Sequence, residues 1–586
     1  MQPSSATSGP DRGSNLRRYG PIAAIVVVIA IIATVVLVAG KSDDKKPTAT
    51  ASGSTSSAAS GKGNLPEGAI PFSQKGNRTD LTFPSTCDLS TGHVALPYFF
   101  TQECFANVKD NGGATARGVT ADSITVVVYL APDTDPVLDF ITAPIKDNDT
   151  ADQRQATYEG YTELFNQYFQ TYGRKVQLKF LHGSGSSDSE VAARADAVKA
   201  VEELGAFAVW GGPVLAPAWT EEIKARGVIC LGCPTIPDPT PTVFPIVASG
   251  AQTRVHLAEY IAKKLNGKPA VFAGDAAFKA KNRTFGQIYI SEPGSSAEQD
   301  AADLETDLSK NGASVTEQIP YKLEDLISNP EIATNIVSRL KASGITSVIV
   351  NTDPIAPKSF TEEATKQNYF PEWIYGGTAL VDTNAFGRTY DQKQWAHAFG
   401  ISSLAARIQN DVADHYDLYQ WFKGTIAPAR AEYGVIFPQP ALFFAGLQAA
   451  GPHLTIDSFR QGLFFNPPTD TRTLTQPGIS YGDHGIWPDT DYYGIDDFTE
   501  IWWDPTATGE DETHAQGTGL MRFVDGGKRY RPGEWPSDLK VFDPSGTSTL
   551  YDDIPASEKP KDYPSPAGGG GSSSASGSSN SSTTAN

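Results

Sequence analysis

The stretch from Phe207 to Leu265 constrains this chain most, because two short apolar runs each end at a turn of glycine and proline, with a helical stretch between them. Phe207 to Trp210 carries no polar residue and stops at Gly211, Gly212 and Pro213. Ala216 to Arg226 has helical spacing and is closed by Gly227; Val228 to Leu231 is a second apolar run, breaking at Gly232, Cys233, Pro234 and Thr235. A strand without polar alternation is buried on both faces, as in a parallel sheet covered by helices. Strand, turn, helix, strand then places both turns at the carboxyl edge of one sheet, where ligands collect in open α/β folds.

The alternation continues in both directions. Val119 to Tyr129 is a turn followed by a β-branched strand, and it delivers the loop Leu130 to Asp135. Thr150 to Gln170 predicts a helix whose Tyr158, Tyr161, Leu164, Phe165, Tyr168 and Phe169 form a core-facing stripe. Val176 to Leu181 reads as a strand and Ser189 to Leu204 as a helix; Gly183, Ser184, Gly185 between them lacks the G-x-S-x-G spacing of a nucleophile elbow and reads as a capping loop. After Val243 to Ala248 and a helix from Gln252 to Leu265, Lys268 to Ala273 reads as the next strand, followed by a loop with Phe278 and Phe285. Ala297 to Asn311 is helical, and Ala313 to Pro320 and Ile345 to Val350 are strands. Asn351 to Pro354 and Tyr375 to Thr378 are further strand-end turns, and Phe498 to Asp504 alternates like a strand.

Over about Val119 to Trp535 this order resembles the type I periplasmic-binding-protein family, in particular substrate-binding proteins of branched-chain amino acid ABC importers. The resemblance implies an α/β fold of two Rossmann-like lobes with parallel sheets joined by a three-strand hinge. Lobe 1 is expected over 118–250 plus about 385–475, where Pro440 to Ala450 resembles the returning helix, and lobe 2 over 251–384 plus about 476–535. It also implies a small molecule in the interlobe cleft, touched by Asp133, Thr134, Gly212, Pro213, Pro234 and Thr235 from lobe 1, and by Phe278, Phe285, Asp353 and Thr378 from lobe 2. In amino-acid-binding relatives a Ser or Thr after the Trp210-type strand holds the ligand carboxylate. Gly212, Pro213 and Val214 stand there instead, while Thr235 keeps a hydroxyl in the second turn.

The ends carry a different signal. Residues 1–20 are polar, with Arg12, Arg17 and Arg18, and Ile22 to Ala39 is an uncharged run of 18 residues. With Pro21 and Gly40 that is long enough for one membrane-spanning helix over 21–40, arginines inside; a cleaved signal peptide, whose apolar core is ordinarily shorter, is the alternative. Leu37 to Gly40 resembles a lipobox prefix, but Lys41 replaces the lipid-bearing Cys. Residues 41–64 are a Ser/Thr/Ala/Gly-rich tether, 65–117 a small cysteine-containing pre-domain, and 536–586 a Pro/Gly/Ser-rich tail. The protein is therefore expected in the cell membrane as a single-pass species with its main domain extracellular. In that oxidising setting Cys87 and Cys104 are expected to form a disulfide, and Cys230 and Cys233 to shape their turn as a tight disulfide or as small buried residues.

A net charge of -20 argues against nucleic acid as a partner. Asp489, Asp491, Gly494, Asp497 and Glu500 match EF-hand spacing, but Pro488 blocks an entering helix and a strand follows, so no metal site is expected. The eight histidines fall in no catalytic motif, and no cofactor motif is present. The expected function is an extracytoplasmic, membrane-anchored solute-binding protein that closes on a small molecule for an ABC permease. A sensor ectodomain without transport is the alternative, and an extracellular hydrolase a more distant one.

Overall fold

The computed structural model describes residues 65–132, 134, 135, 138, 149–213, 215–291, 297–377, 380–469 and 473–568. The expected membrane helix and tether, the end of the tail, Asp133, Val214 and Thr378 lie outside the described residues. Among those described, no helix is long and apolar enough to cross a membrane.

Lobe 1 is built on five parallel strands, β1 (Ser123–Leu130), β2 (Lys175–His182), β3 (Ala208–Trp210), β4 (Ile229–Leu231) and β5 (Val243–Phe244), in the order β2-β1-β3-β4-β5. Its flanking helices are α1 (Ala151–Tyr168), α2 (Glu190–Val198) and α3 (Pro217–Ala225). Successive β1 side chains enter opposite cores: Val126 and Val128 pack among the aromatics of one face, Val127 and Tyr129 against α2 and α3 on the other. Coverage on both faces is why the central strands β3 and β4 read as unbroken apolar runs, whereas edge strand β2 alternates with exposed Lys175, Gln177 and Lys179.

The chain then crosses through α4 (Gly250–Tyr260) into lobe 2, whose strands β6 (Phe285–Ile290), β7 (Val315–Tyr321), β8 (Ser347–Asn351), β9 (Glu372–Gly376) and β10 (Ala398–Ser402) are ordered β7-β6-β8-β9-β10. The 2-1-3-4-5 order of lobe 1 is thus repeated. Helices α5 (Ala297–Lys310), α6 (Glu331–Ala342) and α7 (Ala356–Lys366) flank this sheet.

A second crossing carries the chain through the short strand β11 (Arg407–Ile408) back to lobe 1, where α8 (Asp414–Lys423), α9 (Tyr433–Ile436), α10 (Pro438–Ala449) and α11 (Ile456–Phe465) cover the first sheet. Phe443 of α10 meets Trp210 at 5.5 Å and Phe459 of α11 meets Phe207 at 6.1 Å. Each such buried aromatic contributes about 1.5–3 kcal/mol of apolar burial. The third crossing returns to lobe 2, where β12 (Phe498–Glu510) adds antiparallel to β10, followed by β13 (Gln516–Phe523) and β14 (Arg529–Tyr530). Neighbouring Trp502 and Trp503 enter opposite cores of this sheet.

Three expectations need correction. Lys268 to Ala273 is not a strand: only an isolated bridge joins Pro269 to Asn282, and the first strand of lobe 2 is β6. Pro269 removes a ladder donor from the earlier run, and Glu372 instead accepts from Phe272 N at 3.1 Å. The return to lobe 1 lies past Ser402 rather than near 385, because β10 pairs with β9.

Finally, 536–568 is not a free tail. Phe542 packs on Phe272 and Trp502 at 4.9 and 5.3 Å, and β15 (Leu550–Tyr551) pairs with β11. Glu558 accepts from Leu474 N at 2.6 Å, and Trp421 of α8 donates to Tyr563 O at 2.9 Å. The segment is a strap running from lobe 2 across the hinge to lobe 1.

The pre-domain lies against lobe 1. Cys87 and Cys104 are disulfide-bonded, as are Cys230 and Cys233. Buried Arg174 joins pre-domain to lobe by donating to Gly113 O at 3.0 Å and Pro452 O at 2.8 Å.

Candidate functional site

The carboxyl edges of the two sheets face each other across a cavity of about 1090 Å³. Lobe 1 supplies Leu130 at the end of β1 with Ala131 and Pro132 after it, His182 at the end of β2, Gly211 and Gly212 after β3, and Gly232 to Thr235 after β4. Lobe 2 supplies Gln287, Tyr289 and Ile290 of β6, Asn351 of β8, Gly376 and Gly377 at the end of β9, and Ser403 after β10. The crossings form the floor through Val247, Ala248, Ser249 and Tyr493.

Two helices begin at this cavity. Thr150 caps α1 and Ser249 caps α4, each in a reciprocal capping box with Gln153 or Gln252. On the lobe 1 wall, Tyr158 donates to Gln439 Oε1 at 2.6 Å, and burial holds the Tyr158 phenol well above its ordinary pKa. Gly232 has φ +68°, the left-handed region that favours glycine, and a Cβ there would also sit 2.8 Å from Gln439 Nε2. On the opposite wall a Cβ at Gly376 would lie 1.8 Å from Asn351 Oδ1, and the glycine gives that amide its space.

Exposed Asp152 and His182 apart, the charges on the wall are internally paired. Arg154 donates from Nη2 to Glu432 Oε1 at 2.9 Å, and Arg254 donates to Asp300 and Asp303 at 2.7 and 3.3 Å. Asp135 accepts from Ser187 N and Oγ at 2.7 and 2.5 Å, and Asp149 accepts from Arg430 N, Ala431 N and Glu432 N. Tyr493 donates to Ile236 O at 3.0 Å, and burial pushes its phenol up to about 12.

Of the residues the sequence singled out, the structure brings Gly212, Pro234 and Thr235 into the wall. Pro213 is buried and Thr134 exposed, and neither lines it. Asp353 lies in the turn before α7, accepting from Ile355 N and Ala356 N at 2.7 and 3.0 Å and from the Tyr321 hydroxyl; burial raises its carboxyl pKa. It is not part of the cavity lining. Phe278 packs on Tyr369 at 5.9 Å and Phe285 begins β6, so both sit in the core at the amino end of the sheet. Their expected cleft position followed from reading the strand at 268–273; with β6 at 285–290 the cleft-facing residues become Tyr289 and Ile290.

Tyr158, which its spacing assigns to the core stripe, also forms cleft wall. Its partner Gln439 lies 281 residues away, a pairing no local pattern signals. The EF-hand-like carboxylates diverge: Asp491 accepts from Gln252, Asp497 from Arg529, and Glu500 from Lys264 and Tyr260.

Two 2-1-3-4-5 parallel sheets, joined by three crossings and facing each other across a cleft, make the type I periplasmic-binding-protein fold. No family model matches the sequence, and no curated protein does. Among solved structures, the chain is similar to a solute-binding protein of an ABC transporter from Rhodopseudomonas palustris BisB5 in complex with 3,4-dihydroxybenzoic acid; identity is 12%, coverage 70% of this chain and 98% of that one, TM-score 0.43. A putative branched-chain amino acid ABC transporter protein from Rhodospirillum rubrum is 14% identical, with 70% and 99% covered and TM-score 0.41. An ABC transporter substrate-binding protein from Desulfitobacterium hafniense, in complex with Leu, is 14% identical over 70% and 100%, TM-score 0.40.

Proposed function

We propose that this chain is a solute-binding protein that captures a small molecule between its lobes and closes on it, displayed outside the cell by the apolar run from Ile22 to Ala39 and serving an ABC importer. One observation carries the reading: the cavity is walled by strand-end turns of both lobes and floored by the crossings that join them. A molecule touching both walls does so fully only in the closed arrangement, so its binding free energy shifts the population toward closure. Gly212, Pro234 and Thr235 would meet it from lobe 1, and Tyr289 and Asn351 from lobe 2. No general base or nucleophile is needed for this role, and the polar pairs on the wall serve to hold its shape.

Native mass spectrometry of the full chain, purified in mild detergent from its own host, tests the proposal. A small molecule that is lost on denaturation, and whose occupancy falls in a Thr235→Val variant, is the expected result. A bare protein whose small-angle scattering profile stays unchanged across host metabolite fractions refutes it.

A further inference from the structure

Resting on that reading, we infer that the cleft recognises an uncharged, hydroxyl-bearing ring compound of the glycoside or nucleoside kind, rather than a carboxylate or an amine. Among the described residues no lysine lines the cavity, and both arginines that do, Arg154 and Arg254, are held by carboxylates. Exposed His182 apart, a ligand carboxylate would therefore have to break an existing ion pair to find a cation. The acids are committed likewise: Asp135 and Asp149 accept from backbone and hydroxyl donors, and Glu432 and Asp300 from the arginines. Asp152, exposed on the first turn of α1, lies outside these pairs. Away from exposed Asp152 and His182, an ionised ligand entering such a site loses its hydration without gaining a counter-charge.

The unused hydrogen-bonding groups buried in the walls are neutral. Asn351 Oδ1 is buried with no partner. Tyr129 and Tyr289 are 8% and 9% exposed, one on each wall, and neither hydroxyl makes a hydrogen bond among the described residues. Two phenols and an amide carbonyl, set in walls that present tyrosine rings, suit hydroxyl groups on a flat-faced ring. A cavity of about 1090 Å³ leaves room for a compound larger than a single amino acid.

Calorimetric titration of the full chain in detergent tests this with two sets of probes. The neutral set holds cellobiose, maltose, trehalose, aryl glucosides, uridine, adenosine and guanosine; the charged set holds leucine, glutamate, 4-hydroxybenzoate, lysine and spermidine. Binding confined to the neutral set is expected, and its sugar and nucleoside members separate the two sources of the same chemistry. Tyr289→Phe and Tyr129→Phe keep each ring and remove one hydroxyl, and either should weaken that binding about tenfold, the ratio one neutral hydrogen bond supports. Having two such variants on different lobes keeps the test decisive if one folds poorly. Tighter binding from the charged set, or neutral binding that both variants leave unchanged, overturns the inference while the solute-binding reading stands. Silence from both sets overturns the inference and counts against that reading as well.

Discussion

Substituting Asp491→Asn offers a sharp test of how the hinge is held. Asp491 is buried beside Asp496; its Oδ1 accepts from Gln252 Nε2 and Tyr493 N, both at 2.9 Å, tying the third crossing to the first turn of α4. Asp496 accepts from Ser480 Oγ at 2.6 Å and Trp487 Nε1 at 2.9 Å. Burial, then the neighbouring carboxylate, pushes Asp491 up from 3.8 to about 8, so the pair keeps a proton at neutral pH. Above about pH 4 the unfolded chain has already released that proton. The stabilisation is therefore complete on the acid side and is lost as pH rises through the folded value near 8. One extra proton in the folded state gives a slope of about -1.4 kcal/mol per pH unit, or about 3 kcal/mol between pH 5 and pH 7. Asparagine cannot ionise, so wild type should lose about that much relative to Asp491→Asn over this range. Urea titrations at pH 5, 6 and 7, with hydrogen exchange of the 478–497 peptides as the local readout, measure the difference. Stability curves that stay parallel in pH would refute the shared proton, and a wild type that gains on the variant with rising pH would reverse its sign.

Other perturbations follow from the same structure. Glu372→Gln leaves fully buried Arg283 without its counter-charge, now at 2.7 Å, and should cost about 3–5 kcal/mol in thermal melts; Arg283→Met with Glu372→Leu should recover most of it. Replacing Cys87 and Cys104 by serine removes a crosslink spanning 17 residues and should cost about 3 kcal/mol, readable as a fall in the urea midpoint. Ending the chain after Asp553 removes the contacts of Glu558, Tyr563 and Ser565, and should raise hydrogen exchange in α8 and around Leu474 while the cores of both sheets stay protected.

Much of the architecture is legible in the residues because parallel strands buried on both faces announce themselves. β3 and β4 are unbroken apolar runs, β8 has an apolar centre from Val348 to Val350, and glycine marks the turn after β3 and β4. β6 hides for the opposite reason: Gly286 and Gln287 interrupt it, and Gln287 is accommodated only because Gln318 of the neighbouring strand donates to it at 2.9 Å. The strap escapes a compositional reading because its anchors, Phe542, Tyr551, Glu558 and Tyr563, are sparse among residues that elsewhere signal linker. The cleft was half legible. Turns that end a strand can be placed from local pattern, whereas Tyr158 with Gln439, or Arg154 with Glu432, meet only through the closed topology.

That topology also sets the order in which the molecule can become stable. Lobe 1 is discontinuous: its first sheet needs Phe443 and Phe459, its pre-domain junction needs Pro452 O, 278 residues beyond Arg174, and its outer helix α8 meets the strap at Tyr563. Contacts of such separation are slow to form, because the intervening chain must be ordered before they repay its entropy. While the chain is being made, the apolar strands of lobe 1 therefore stay uncovered until nearly its whole length is available. Until then those strands are exposed to the wrong partners, so early folding intermediates of this chain are prone to aggregate.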